Sequence, residues 1–188
     1  MIDYDLPTSV VIGGREYPIR TDFRPILDII TALNDPELTD WDRTAVALGI
    51  FFEDEIPEDG ESAIRECLRF IAGGTEQPPG KTAPKLVDWE RDFRWIASPI
   101  NRMLGQDIRG MKMHWWTFLS YYYEIGDCTF SQIVKIRNAK MRGKKLDKSD
   151  QEWLRQNADL VFIDQKTTQE EDDLLALWTK GGTQSAEQ

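Results

Sequence analysis

His114-Trp115-Trp116-Thr117-Phe118-Leu119-Ser120-Tyr121-Tyr122-Tyr123 places the only histidine of the chain beside two of its seven tryptophans and three of its five tyrosines. Each such ring covers on the order of 150–250 Å² when buried, so the stretch must enter a core, dock on a partner, or both. The spacing predicts a helix from Met113 to Ile125 with Trp116, Leu119 and Tyr123 on one face. Trp115 then points about 100° away from Trp116. Both indoles cannot share the centre of one face, so one lies at a boundary: under a linker, against a hairpin, or on a partner. Boundary aromatics are enriched in binding hot spots. On that ground Trp115, Phe118, Tyr121 and Tyr122 are candidate partner-binding residues.

Working outward, the only β signal lies at the start of the chain. Ser9-Val10-Val11-Ile12 and Arg15-Glu16-Tyr17-Pro18-Ile19-Arg20 flank Gly13-Gly14 and predict a hairpin. Pro18 lacks a backbone donor, so its strand is an edge or leaves that position unpaired. A lone hairpin is marginal in water, so this one is expected to lie on helices. Thr21 or Asp22 caps a helix carrying Ile26, Leu27, Ile29, Ile30 and Leu33; Thr39-Asp40-Trp41-Asp42 opens a second, and Glu61-Ser62-Ala63 a third that stops at Gly73-Gly74.

Residues 73–85 are punctuated by Pro and Gly and read as a linking loop. Val87 to Met103 predicts a long helix that Pro99 kinks or shortens. Thr129-Phe130-Ser131 starts another, whose basic continuation from Lys140 to Lys148 is expected to project from the body. Ser149 to Glu152 caps a stretch with Trp153, Leu154 and Phe162, and Glu170 to Trp178 gives the last helical signal. Trp41, Trp89, Trp95, Trp116 and Trp153 lie at core-like spacings. The expected fold is mainly α: a single helical domain of about six to eight helices over 21–178, an N-terminal β-hairpin arm over 1–20, and a disordered tail over 179–188.

At 188 residues, 40% hydrophobic and 30% charged, the chain has the composition of an ordinary globular domain. Its net charge of −10 argues against a general nucleic-acid binder, which needs a cationic surface. The start, Met1-Ile2-Asp3-Tyr4-Asp5, lacks the pattern of a secretory signal. No window approaches the roughly 18 apolar residues of a membrane span. Cys67 and Cys128 match no metal or redox spacing and are expected as free thiols. The cytoplasm is the expected compartment.

The charge is unevenly placed. Over residues 1–62, carboxylates outnumber the four arginines Arg15, Arg20, Arg24 and Arg43 almost fourfold. Over 134–148 the sign reverses, with Lys135, Arg137, Lys140, Arg142, Lys144, Lys145 and Lys148 against Asp147. Lys140, Arg142, Lys144 and Lys145 are therefore candidate contacts for an acidic partner or for a neighbouring copy of the chain.

Catalytic patterns are sparse. A lone histidine leaves few metal or acid–base schemes, and His114 with Cys67 or Cys128 lacks a third orienting group. Glu53-Asp54-Glu55 lacks the spaced oxygen ligands of a calcium loop. Gly80-Lys81-Thr82 lacks the preceding strand and the glycine spacing of a phosphate loop. No catalytic, cofactor or metal residue is assigned, and an enzyme is not expected.

The order of several motifs carries a resemblance. Leu6-Pro7-Thr8-Ser9-Val10, Ile12-Gly13-Gly14-Arg15-Glu16-Tyr17-Pro18-Ile19 and Thr21-Asp22-Phe23-Arg24 come first. Phe51-Phe52 through Glu55-Ile56-Pro57-Glu58-Asp59 follows, then Trp89, Asp92, Phe93 and Ile96, Met113 to Phe118, and Phe130 to Arg137. Over residues 6–160 this resembles a family of tail assembly chaperone-like proteins encoded beside the tape-measure gene in long-tailed phages of Gram-positive hosts. The resemblance implies a chaperone that binds the tape-measure protein, helps recruit the tail tube protein, and is absent from the mature virion. It also implies self-association or contact with a neighbouring tail chaperone, and it supplies no catalytic residue. The other readings are a structural tail component kept in the virion and an acidic DNA-mimic inhibitor.

Overall fold

The computed structural model describes residues 5–75 and 86–162. The chain is mainly helical with an N-terminal hairpin, as the sequence predicts; the described residues hold eight α-helices, one 3₁₀ turn and two strands. They form two compact units, one of residues 5–75 and 89–128 and one of residues 86–88 and 129–162. Residues 76–85 of the expected loop, the helix expected over 170–178 and the tail over 179–188 lie outside the described residues.

In the first unit, β1 (Ser9–Ile12) and β2 (Arg15–Pro18) pair antiparallel, Ile12 opposite Arg15 and Ser9 opposite Pro18. Gly13 and Gly14 take φ of 60° and 81°, the left-handed pair that a tight hairpin turn requires. Period-two alternation buries Val10 and Ile12 and leaves Val11 in solvent. Pro18 sits at the end of an edge strand, where its missing donor costs nothing, and its carbonyl accepts from Glu53 N–H at 3.2 Å. The Arg20 guanidinium holds the carbonyls of Gly49, Ile50 and Phe52, closing the C-terminus of the second helix.

Five helices follow in that unit: α1 (Phe23–Leu33), α2 (Asp40–Phe51), α3 (Gly60–Ile71), α4 (Trp89–Leu104) and α5 (Trp115–Tyr123). Asp22, Thr39 and Asp59 cap the first three through side-chain oxygens, supplying acceptors for otherwise unpaired N–H groups. Pro99 lies inside α4, which runs on to Leu104 rather than stopping at the proline. The core collects Phe23, Ile26, Ile29, Phe51, Ile96, Ile100, Ile108, Trp115 and Phe118, all at most 1% exposed. The Phe23 and Phe118 rings stack at 4.8 Å with an interplanar angle of 4°. Trp41, expected in the core, is instead 78% exposed, because it stands on the outer side of the first turn of α2.

The second unit contains α6 (Thr129–Met141), α7 (Lys148–Gln156) and the short α8 (Ala158–Val161). The basic stretch does not extend α6 outward. Gly143, at φ 62°, ends the helix, with its N–H on Lys140 C=O and Lys144 N–H on Ala139 C=O. Leu146 then turns inward to join Ile136, Leu154 and Val161, and Asp147 caps α7. Buried Arg137 donates to the carbonyls of Leu86, Leu160 and Val161, so one guanidinium ties α6 to α8 and to the segment before α4. Asp150, also buried, accepts from Gln132 and from the Lys135 ammonium.

Four capping aspartates make stability depend on acid. Burial works against ionisation of Asp22, but hydrogen bonds from the Arg24 side chain and from the Arg24 and Met113 N–H groups, with the Arg24 charge, outweigh it and hold its carboxyl below the ordinary value. Asp59, Asp107 and Asp147 are lowered by hydrogen bonds from Ser62, Arg109 and Asp150 respectively. A depressed folded pKa stabilises the fold above the unfolded value and is lost as pH falls through the folded one. The thermal midpoint should therefore be flat above pH ~5 and fall below pH ~4. Asp22→Asn should start lower and fall less steeply in a differential-scanning titration; an unchanged acid slope would contradict this role for Asp22.

Candidate functional site

The aromatic stretch forms α5 from its cap outward. The helix is shorter than the periodicity suggests, beginning at Trp115 with His114 as its N-cap. Its buried face is Trp115, Phe118 and Leu119, with Tyr122 half-buried along the same line, the i, i+3, i+4, i+7 set. The expected face of Trp116, Leu119 and Tyr123 is thus turned by about one residue, about 100°; Tyr123 is 76% exposed. Starting the helix at Trp115 lets both adjacent indoles reach the end of α3.

There each indole N–H has a specific acceptor. Trp115 Nε1 donates to Ile71 C=O at 2.9 Å, and Trp116 Nε1 donates to Phe70 C=O at 2.9 Å. These carbonyls belong to the last turn of α3, where no intrahelical donor remains. Gly73 N–H bonds Phe70 C=O and Gly74 N–H bonds Arg69 C=O, completing the end of the helix with both glycines in the left-handed region. A Cβ on Gly74 would come within 3.0 Å of the Trp116 ring. Trp116 therefore lies half-buried beneath the first residues of the loop, the boundary position that the sequence required of one indole.

His114 is equally committed. Its Nδ1 accepts from Trp116 N–H at 3.1 Å, so the proton resides on Nε2, which donates to Pro7 C=O at 3.0 Å. The ring also meets Phe70 edge-on at 5.6 Å. Cys67 is buried and its thiol is pushed up to about 12 by desolvation, which leaves no thiolate at neutral pH. Burial, the neighbouring Tyr123 and the Asp92 carboxylate push the Tyr122 phenol up to about 12. No group of three or more His, Cys, Asp or Glu among the described residues is arranged to hold a metal ion. Gly80-Lys81-Thr82 falls outside the described residues.

The candidate partner-binding residues separate into three groups. Trp115 and Phe118 are buried in the core and present no surface to a partner, a correction to the sequence expectation; their ring stack at 5.5 Å explains why. Tyr121 and Tyr122 are half-buried, with Tyr122 packed on Trp89 at 5.1 Å. Arg142, Lys144 and Lys145 are exposed in the turn between α6 and α7. Lys140 is exposed at the end of α6, with its ammonium 3.7 Å from the centroid of the Phe162 ring.

Two surfaces escaped the sequence reading. One is a groove along α3, where Ile64, Leu68 and Ile71 lie beside the buried line of Ala63, Cys67 and Phe70 and are bordered by Glu61, Arg65 and Arg69. The other is the outer face of α2 around Trp41. Apolar residues run around α2 from Ala45 on and span an arc of about 160° on α3, wider than the core covers, and periodicity alone does not say which part meets the core.

The fold and the site define a mainly helical protein whose most aromatic segment serves its own architecture. It belongs to a bacteriophage family: the family model described as Bacteriophage Gp15 protein matches residues 2–161. No curated protein and no solved structure matches the chain.

The two indoles should not be equivalent. Trp115→Phe leaves Ile71 C=O without its donor and should cost about 1–3 kcal/mol. Trp116→Phe leaves Phe70 C=O still bonded to Gly73 N–H, and should cost about 1 kcal/mol. Urea denaturation reads both, and equal losses would contradict the assignment. Gly74→Ala should destabilise as well, through backbone strain and contact with Trp116.

Proposed function

We propose that this bacteriophage protein is a tail assembly chaperone that binds the tape-measure protein and assists assembly of the tail tube. The observation that carries the reading is the family match over residues 2–161, together with the order of motifs from Leu6 to Arg137. The geometry supports a binding role: the histidine and indole polar atoms that would first suggest chemistry are spent on the protein's own carbonyls and amide. What remains for another molecule is surface, acidic in the first unit and cationic in the turn after α6. A long helical client with exposed apolar faces needs many weak contacts and a charged coat that keeps the complex soluble. On this reading the protein acts in the host cytoplasm, performs no catalytic step, and leaves before the virion is complete.

Co-expression is the test. The tape-measure protein should partition into the soluble fraction with this chain and aggregate without it, and mass spectrometry of purified virions should find the tape-measure protein but not this one. Insolubility in both cases would defeat the proposal, and recovery of the chain in stoichiometric amounts from virions would favour a structural tail component.

A further inference from the structure

We infer that the outer face of α2 is the surface that receives the client, and that its occupant is an α-helix with a small-residue apolar contact face and Lys or Arg at its ends. The inference rests on the chaperone reading and names the partner chemistry for it.

From Thr44 to Phe52 the chain carries no charged side chain. A helix apolar on all sides belongs in an interior, yet only one side of α2 is covered, with Ala47, Leu48 and Phe51 buried. Trp41, Ala45, Val46 and Gly49 are all exposed. At 100° per residue these four fall within an arc of about 140°, an apolar face that a charged side chain, Asp42, enters only at its N-terminal end. Trp41 contributes an indole that is 78% exposed, the kind of side chain that anchors an interface when a partner covers it.

Gly49 adds an independent argument. Glycine weakens a helix, so its presence there needs a reason. Its φ is not in the left-handed region that glycine serves elsewhere in this chain. A Cβ at that position would meet nothing within 4 Å. Neither backbone conformation nor internal packing calls for glycine at 49. Next to Ala45, one helical turn earlier, it leaves a shallow track on which another helix backbone can approach closely.

Charge selects the partner. Glu37 and Asp42 stand at the N-terminal end of the face, where Asp40 is paired with Arg43, and Glu53 and Asp54 lie just past its C-terminal end. The nearby cations are already engaged: Arg43 with Asp40 and the Asp35 carbonyl, Arg20 with the α2 carbonyls, and Arg15 with Glu55. An apolar face with anionic ends favours a helix with cationic ends and repels one with acidic ends.

The probe is a synthetic helical peptide of about 20 residues (about 30 Å, long enough to cover the face and both acidic ends) with an alanine contact face and lysines at both ends, labelled for fluorescence anisotropy and titrated with the full chain. Binding should weaken as salt rises, weaken at least about tenfold in Trp41→Ala and likewise in Gly49→Leu, and disappear for the same peptide with glutamates at its ends. Gly49→Leu should melt no lower than the wild type, which separates loss of binding from loss of fold. No binding by the wild type, equal binding by the variants, or equal binding of the glutamate peptide would overturn the inference. So would a self-associated wild type that Trp41→Ala converts to monomer in sedimentation, because a second copy would then be the occupant. Variants that lose the peptide yet still keep the tape-measure protein soluble would remove this surface and leave the chaperone reading standing. A wild type that binds the peptide but does not solubilise the tape-measure protein would do the reverse.

Discussion

Two backbone hydrogen bonds join segments that lie some ninety residues apart, and the first unit depends on them. Phe23 N–H donates to Met113 C=O at 3.0 Å, and Trp115 N–H donates to Thr21 C=O at 2.6 Å. Between them Asp22 bridges to His114, and its carboxylate also accepts from Met113 N–H at 3.1 Å. This short antiparallel clasp fixes the start of α1 against the start of α5. Once it is made, Phe23 and Phe118 are forced into their stack, and the two indoles are aimed at the last carbonyls of α3. The His114 ring then reaches back to Pro7, ahead of the hairpin. One local arrangement thus determines the placement of the hairpin, α1, α3 and α5.

The cost of such an arrangement is loop closure over a long stretch of chain, which grows only slowly with its length. The return is a set of polar groups satisfied in a mostly apolar interior. Without the indoles the Ile71 carbonyl would be left without its donor, while that of Phe70 would keep Gly73 N–H alone. Tryptophan is suited to this task because one side chain supplies both apolar area and a single donor. That is a structural reason for two adjacent tryptophans. Arg137 serves the second unit in the same manner, with one side chain serving carbonyls of otherwise separate segments.

Much of this was legible in the sequence. Gly13-Gly14 with flanking β-branched residues specified the hairpin, and Asp22 and Thr39 marked helix starts, because turns and caps depend on side chains within a few residues; the third helix starts a residue before the expected Glu61, with Asp59 as its cap. The face of α5 was not legible: a run of aromatics satisfies more than one helical phase, and the choice was made by acceptors on α3, more than forty residues away. The exposure of Trp41 was hidden for a similar reason, since an apolar helix does not declare which side its neighbours will cover. Lys140 to Lys148 looked like a free helical extension because Gly143 and the inward-turning Leu146 act only in the company of Ile136, Leu154 and Val161. The expectation for Trp115 and Phe118 went with the face: they were chosen as boundary aromatics, and the turn of the helix carries both into the core.

The account's central claim is that the two indoles of the aromatic segment close the fold while the Trp41 indole stands in solvent. Hydrogen exchange at the tryptophan indoles, followed by NMR on the free protein, tests this most directly. The account predicts slow exchange for the Nε1–H of Trp115 and Trp116, which donate to the end of α3, and fast exchange for that of Trp41. Fast exchange at Trp115 and Trp116, with Trp41 protected, would contradict it.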